Sequence, residues 1–313
     1  MARRRLLTGD ERRRLFDPPV QETAIIGHYT LSAEDVELVG RRYGPANRLG
    51  LAAQIALMRH PGFGLQPEIG LPDVILQYLA AQLFVDPSSF SAYGQRAQTR
   101  TDHADLVARY LGIRPFRRGD LALALNLAAQ AAEYTDRGEP IVRALMVGLK
   151  GERFILPSGD TLERAGLAGR ARARKAAAAA IVEGLSSAEL TRLDELVINN
   201  PDFGMTPLAW LRNFEEAPTA ANINGLLERL RYVRGIGIHP VVGGAIPEFR
   251  FAQFVREGGV APAFLLSDYS VNRRRATLTA AVIDLEARLA DAAIQMFDRL
   301  IGGMFTRARR GRE

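Results

Sequence analysis

Residues 93–103 gather two guanidinium groups, Arg96 and Arg100, two carboxamides, Gln95 and Gln98, the hydroxyls of Thr99 and Thr101, and the His103 imidazole. The guanidinium fork makes paired hydrogen bonds to phosphate and to guanine, so the mixture suits contact with a polyanion. Apolar residues able to bury a helix begin only at Leu106 and Val107. A helix starting near Gln98 therefore puts Arg100 and His103 on one face, with Arg96 just before its N-terminus. The same spacing also describes a solvated helix end, and local pattern alone does not choose between the two.

Further cations stand where they could hold phosphate. Gly44-Pro45-Ala46-Asn47-Arg48 opens a helix whose body is apolar on nearly every face and should be buried, leaving Arg48 and Arg59 exposed at its two ends. Its free amides and Arg48 could meet one phosphate, although Pro45 and Asn47 are equally plain start signals. Further along, Ile155-Leu156-Pro157 turns into a helix at Thr161-Leu162-Glu163-Arg164. After Gly166 and Gly169, the cations Arg170, Arg172, Arg174 and Lys175 follow with no acid among them, leading into an alanine helix that ends near Glu183. Helix at 140–150, turn, capped helix and basic segment is a helix-turn-helix-like order, one that any helical bundle can contain.

The elements that must position these side chains are helices. Ser, Thr or Asp is followed three residues later by an acid at Thr8 with Glu11, Ser32 with Asp35, Asp160 with Glu163, and Ser186 with Glu189, each a helix-start signal. Between them apolar residues recur every three or four positions, and alternating β-branched runs are nearly absent. The expected fold is all-α, consecutive small helical bundles with helix-turn-helix-like units. Expected modules are 1–88, 89–185 and 186–313, the last ending in a long linker helix from about Thr277. Trp210 reads as a core anchor, and 235–244 as a connector, since its glycines lack the strand and helix of a dinucleotide fingerprint.

With 313 residues, 47% of them apolar, the chain can bury a sizeable core. It has no cysteine, and His28, His60, His103 and His239 are too scattered to form a metal site by spacing, so no metal or cofactor is expected. No apolar run approaches the length of a membrane span, and the basic N-terminus is not followed by the apolar core of a signal peptide; a cytoplasmic protein is expected. Net charge is +6, and all but Lys150 and Lys175 of the 41 basic residues are arginine. That excess favours a polyanion weakly, and codon bias explains the arginines as well. Residues 1–60 hold ten basic and seven acidic side chains, 61–150 nine of each, 151–185 six and four, and 186–313 sixteen and fifteen. Any nucleic-acid footprint is thus local.

Several of these pieces together resemble the N-terminal region of the Tn-three family of replicative bacterial transposases. They are Gly44-Pro45-Ala46-Asn47-Arg48-Leu49-Gly50 with Met58-Arg59, Tyr93-Gly94-Gln95-Arg96 with Gln98-Thr99-Arg100 and His103, Ile155-Leu156-Pro157 with Glu163-Arg164, and Trp210-Leu211-Arg212. Order and spacing match from about residue 3 to 305. The resemblance implies helical DNA-binding modules that recognise the terminal inverted repeats of a transposon. In the family a ribonuclease-H-like part follows with the magnesium-binding acids, and this chain has no counterpart of them, so no catalytic residue is expected here. The reading is a DNA-binding part of a transposase whose partner is double-stranded DNA at transposon ends. Expected contacts are Arg48, Arg59, Gln95, Arg96, Gln98, Thr99, Arg100, His103, Arg164, Arg170, Arg172, Arg174 and Lys175. The alternative is a protein-interaction module that regulates an intact transposase, pairing with it or with itself through the C-terminal helix.

Overall fold

Capping chemistry starts several of the helices. In a computed structural model, which describes residues 5–65, 71–215 and 217–310, Thr8, Ser32 and Ser186 each form the full reciprocal capping box with Glu11, Asp35 and Glu189. Arg3, Arg4, residues 66–70 of the 61–72 loop, and 311–313 lie outside the described residues. The fourth expected pair does something else. Asp160 and Glu163 both turn to Arg12, at 3.0 Å for the exposed Asp160, while Glu163 is buried.

The protein is mostly helical, 74% of it, and forms two compact units, Met1–Arg170 and Ala171–Glu313. In the first, α1 (Gly9–Phe16), α2 (Glu22–Tyr29), α3 (Ala33–Gly40), α4 (Pro45–Arg59), α5 (Asp73–Leu83) and α6 (Ala97–Leu111) are followed by α7 (Leu121–Ala132) and α8 (Gly138–Gly151). α4 is the hub: every residue from Leu49 to Met58 is buried. Leu49, Ala53, Ala56 and Leu57 pack with Ile25 and Tyr29 of α2 and Ile75 and Leu79 of α5. On the other side Leu51, Ala52, Ile55 and Met58 pack with Val39 of α3 and Val107 of α6. A helix between two cores must be apolar all round, which explains its composition. The expected boundary near residue 88 thus falls inside one unit, where α4 and α6 share a core. Among the described residues the named strands are two residues each, Arg114–Pro115 beside Phe154–Ile155.

α9 (Gly159–Glu183) begins in the first unit and ends in the second. It runs unbroken through Gly166 and Gly169. A Cβ at Gly169 would stand 2.7 Å from the Ala128 carbonyl carbon, and one at Gly166 would stand 2.6 Å from Leu6 Cδ2. These glycines permit close crossing, and tertiary contact outweighs their poor helix propensity.

The second unit adds α10 (Ser187–Glu195), α11 (Pro207–Arg212), α12 (Ala220–Ile236), α13 (Glu248–Val260), α14 (Ala263–Ser267) and α15 (Val271–Arg310). α15 starts six residues before Thr277, where Asp194 of α10 accepts from both Arg274 and Arg275. Leu278, Val282, Leu285, Leu289 and Met296 join α15 to the core of α10, α11 and α12. Trp210 is half-buried against the core, stacked on Phe203 at 4.4 Å with Arg229 over its ring at 4.6 Å. The 235–244 segment is a connector of left-handed Gly237 and a 3-10 turn, Pro240–Ala245.

Candidate nucleic-acid interface

α4 and α6 run in the same direction. The Tyr93 ring, just ahead of α6, lies on Gly50; Gln54 bonds the Arg100 carbonyl; Arg59 stands 5.9 Å from the Tyr110 ring centroid. Both N-termini therefore face one end of the pair, and the partial positive charges of the two helix starts add. Neither start carries a side-chain cap or an acid in its first turn; the N-caps are Gly44 and Arg96. Gly44 is held at φ +81°, a left-handed conformation that suits glycine. Helix starts of this kind leave backbone amides able to meet an anion.

Arginines surround these two starts. Arg48 is exposed, and its Nε donates to the Arg42 carbonyl at 3.0 Å. Arg42 lies close enough to His103 to affect it: burial first, then the Arg42 charge, pushes the imidazole below the ordinary histidine value against the pull of Asp102. Gln95, Arg96 and Gln98 are exposed, while Thr99 and Arg100 are half-buried. Gln98 donates to Asp102 at 2.7 Å, and Arg100 donates to the Gly94 carbonyl at 2.7 Å.

Two residues of the expected contact set have partners within the fold. His103, expected to face outward with Arg100, is 7% exposed, its Nδ1 3.1 Å from the Tyr93 hydroxyl and its ring stacked on the Tyr93 ring. Arg59, expected as an exposed cation, gives both guanidinium nitrogens to the fully buried Asp35 carboxylate, one of them at 2.7 Å. Arg48, Gln95, Arg96, Gln98, Thr99 and Arg100 are brought together at the α4–α6 end; the remaining cations are elsewhere. Arg164 is exposed and bonded within its own helix, to the Asp160 carbonyl and the Thr161 hydroxyl. Arg170 donates to the Asp136 carbonyl at 3.1 Å. Arg172, Arg174 and Lys175 are exposed on the second half of α9.

Sequence reasoning passed over Gln54 and Arg42. Gln54 carried a signal, because it is the single polar side chain in 49–58. His28 and His60 also come together unannounced, stacked at 3.7 Å, but among the described residues no three acids or histidines are placed to hold a metal ion. Among the same residues no helix is long and apolar enough to cross a membrane.

The fold defines a mostly helical protein with an arginine-rich end at the starts of α4 and α6. Residues 6–168 match the family described as a domain of unknown function, DUF4158, and the chain belongs to that family. The whole chain is also homologous to the N-terminal part of Tn-three family transposases. It is 32% identical over 309 residues to the transposase for transposon Tn501 of Pseudomonas aeruginosa and 33% identical over 309 residues to that for transposon Tn3926 of Escherichia coli. The transposase for transposon gamma-delta of Escherichia coli is more distant, at 22% over 302 residues. The first two matches cover 99% of this chain and 31% of the relative, so the chain spans about a third of the length of these relatives.

Proposed function

We propose that this chain is the end-recognition portion of a transposase, binding double-stranded DNA at transposon terminal inverted repeats in the bacterial cytoplasm. The observation that carries the reading is the match to transposases along 99% of the chain. The paired open starts of α4 and α6 supply a physical means. Arg48 and Arg96 meet phosphates there, and Gln95, Gln98 and Thr99 lie beside them to reach base edges. Arg172, Arg174 and Lys175 add phosphate contacts from α9; residues 1–88 and 89–185 are the DNA-binding modules in this reading, and 186–313 is a third helical module ending in a long linker helix. Strand cleavage and joining belong, in this reading, to the part of the longer relatives that this chain does not match, and this portion needs no metal or cofactor.

The test is fluorescence anisotropy with a terminal-repeat duplex and a scrambled duplex across a salt series. Specific binding gives tighter association with the repeat, and replacing Arg48 and Arg96 together with alanine lowers the salt slope by about two, roughly 0.9 for each lost phosphate contact. Equal affinity of the native chain for both duplexes at moderate salt overturns the reading.

One observation favours a second role, regulation of an intact transposase through protein contact. Ile294, Phe297, Ile301, Met304 and Phe305 are exposed along α15 at three- and four-residue spacing, a seam that suits a partner helix. Light scattering should then show self-association, or a mixed complex with full-length transposase. A strict monomer that captures no transposase removes this role.

A further inference from the structure

Gln54 is out of place by type. It is 2% exposed in the middle of the most buried helix of the first unit, where a carboxamide is costly unless bonded. Its Nε2 donates to the Tyr93 hydroxyl at 2.8 Å and to the Arg100 carbonyl at 3.1 Å, while its Oε1 is buried without a partner. The Arg100 carbonyl can only accept, so it fixes which end of the amide faces it. The Tyr93 hydroxyl also meets His103 Nδ1, and the Tyr93 ring occupies the space where a side chain on Gly50 would stand. Arg100 closes the loop by bonding back to the carbonyl of Gly94, whose φ of +70° suits glycine. These contacts form a clasp that ties the entry of α6 to the middle of α4. It leaves the first amides of α6 uncapped.

An apolar residue of the same length at 54 would leave no orphaned oxygen, and Tyr93 would keep His103 as a partner. The glutamine's own unsatisfied carbonyl offsets part of what its two bonds contribute, so stability alone does not explain it. Geometry does. Contacts to phosphate tolerate small displacements, whereas contacts to base edges need side chains held to within about 0.5 Å.

We propose that Gln54 and Tyr93 are positioning residues of the DNA-reading edge: their clasp fixes the first turn of α6, with Gln95, Arg96 and Gln98, against the start of α4, and so sets discrimination between sequences. The proposal rests on the DNA-binding reading above. It assigns affinity to Arg48 and Arg96 and selectivity to the Gln54–Tyr93 pair behind them.

The experiment compares Gln54→Met, Tyr93→Phe and the double variant in the full chain by two measurements. Amide hydrogen exchange in the free protein reads the clasp itself, and protection of 100–103 should fall in each variant. Duplex binding reads its consequence: preference for terminal repeat over scrambled duplex should drop about tenfold, with the salt slope on scrambled duplex unchanged. Because the two residues act through one network, the double variant should lose no more than the larger single loss. Native-like protection of 100–103 in Gln54→Met overturns the clasp whatever DNA does. Native selectivity in both single variants overturns the positioning role. Failure of the native chain to discriminate the duplexes instead overturns the DNA-binding reading, and the exchange result still decides the clasp.

Discussion

Replacing Asp35 with alanine is expected to destabilise the first unit by about 4 kcal/mol. Asp35 is fully buried and serves three groups at once: the Arg59 guanidinium, the Tyr110 hydroxyl at 2.8 Å and the Ser32 amide at 2.8 Å. Loss of the reciprocal N-cap costs about 1 kcal/mol, and stranding the partner of a buried ion pair costs about 3 kcal/mol, the low end because Arg59 is partly exposed. Urea unfolding of the full chain measures it, and a native midpoint in Asp35→Ala would show that the pair contributes nothing. The same group sets an acid limit. Burial by itself would raise the Asp35 carboxyl, but Arg59, the Ser32 amide and Tyr110 together hold it below the ordinary carboxylate value. A depressed folded value gives stability that is complete above the unfolded aspartate range, about pH 4, and is lost as pH falls through the folded value. Asp35→Ala should therefore flatten the acid side of the stability curve. Arg59→Ala should lower stability and leave the DNA salt slope as it is, since this cation is already engaged.

Gly169→Val is expected to cost about 3 kcal/mol, from overpacking at a point where only backbone could yield. The new Cβ would stand 2.7 Å from the Ala128 carbonyl carbon and 2.8 Å from the Ala129 nitrogen. Relief requires α9 to move off α7, which also opens the contact of Gly166 with Leu6 and Val142. By contrast Gly119 has open space around it, so Gly119→Val is the control that separates crowding from the general effect of adding a side chain to glycine. Equal unfolding midpoints for the two variants would refute the close crossing.

Much of the helical framework was readable because its signals are local. The boxes at Thr8, Ser32 and Ser186 act over three residues, and the structure places helix starts there. α2 carries no such signal: its N-cap Gln21 makes no side-chain bond, and the sequence reading did not pick it out. The polar stretch at 93–103 was legible as a collection of groups, and its helix begins at Ala97, one residue from the expected start.

The sequence by itself determined that this protein is helical, arginine-rich and built like the front portion of a transposase, because capping, periodicity and motif spacing are properties of short segments. Only the tertiary structure decided that Arg59 is engaged, that His103 faces inward, that α9 passes straight through two glycines, and that Gln54 has a structural partner. The physical reason is range. Gln54 reaches Tyr93 across 39 residues and Arg100 across 46, and Arg59 reaches Asp35 across 24. Whether a polar side chain meets solvent or a buried partner depends on what the folded chain brings to it, and no local pattern contains that information.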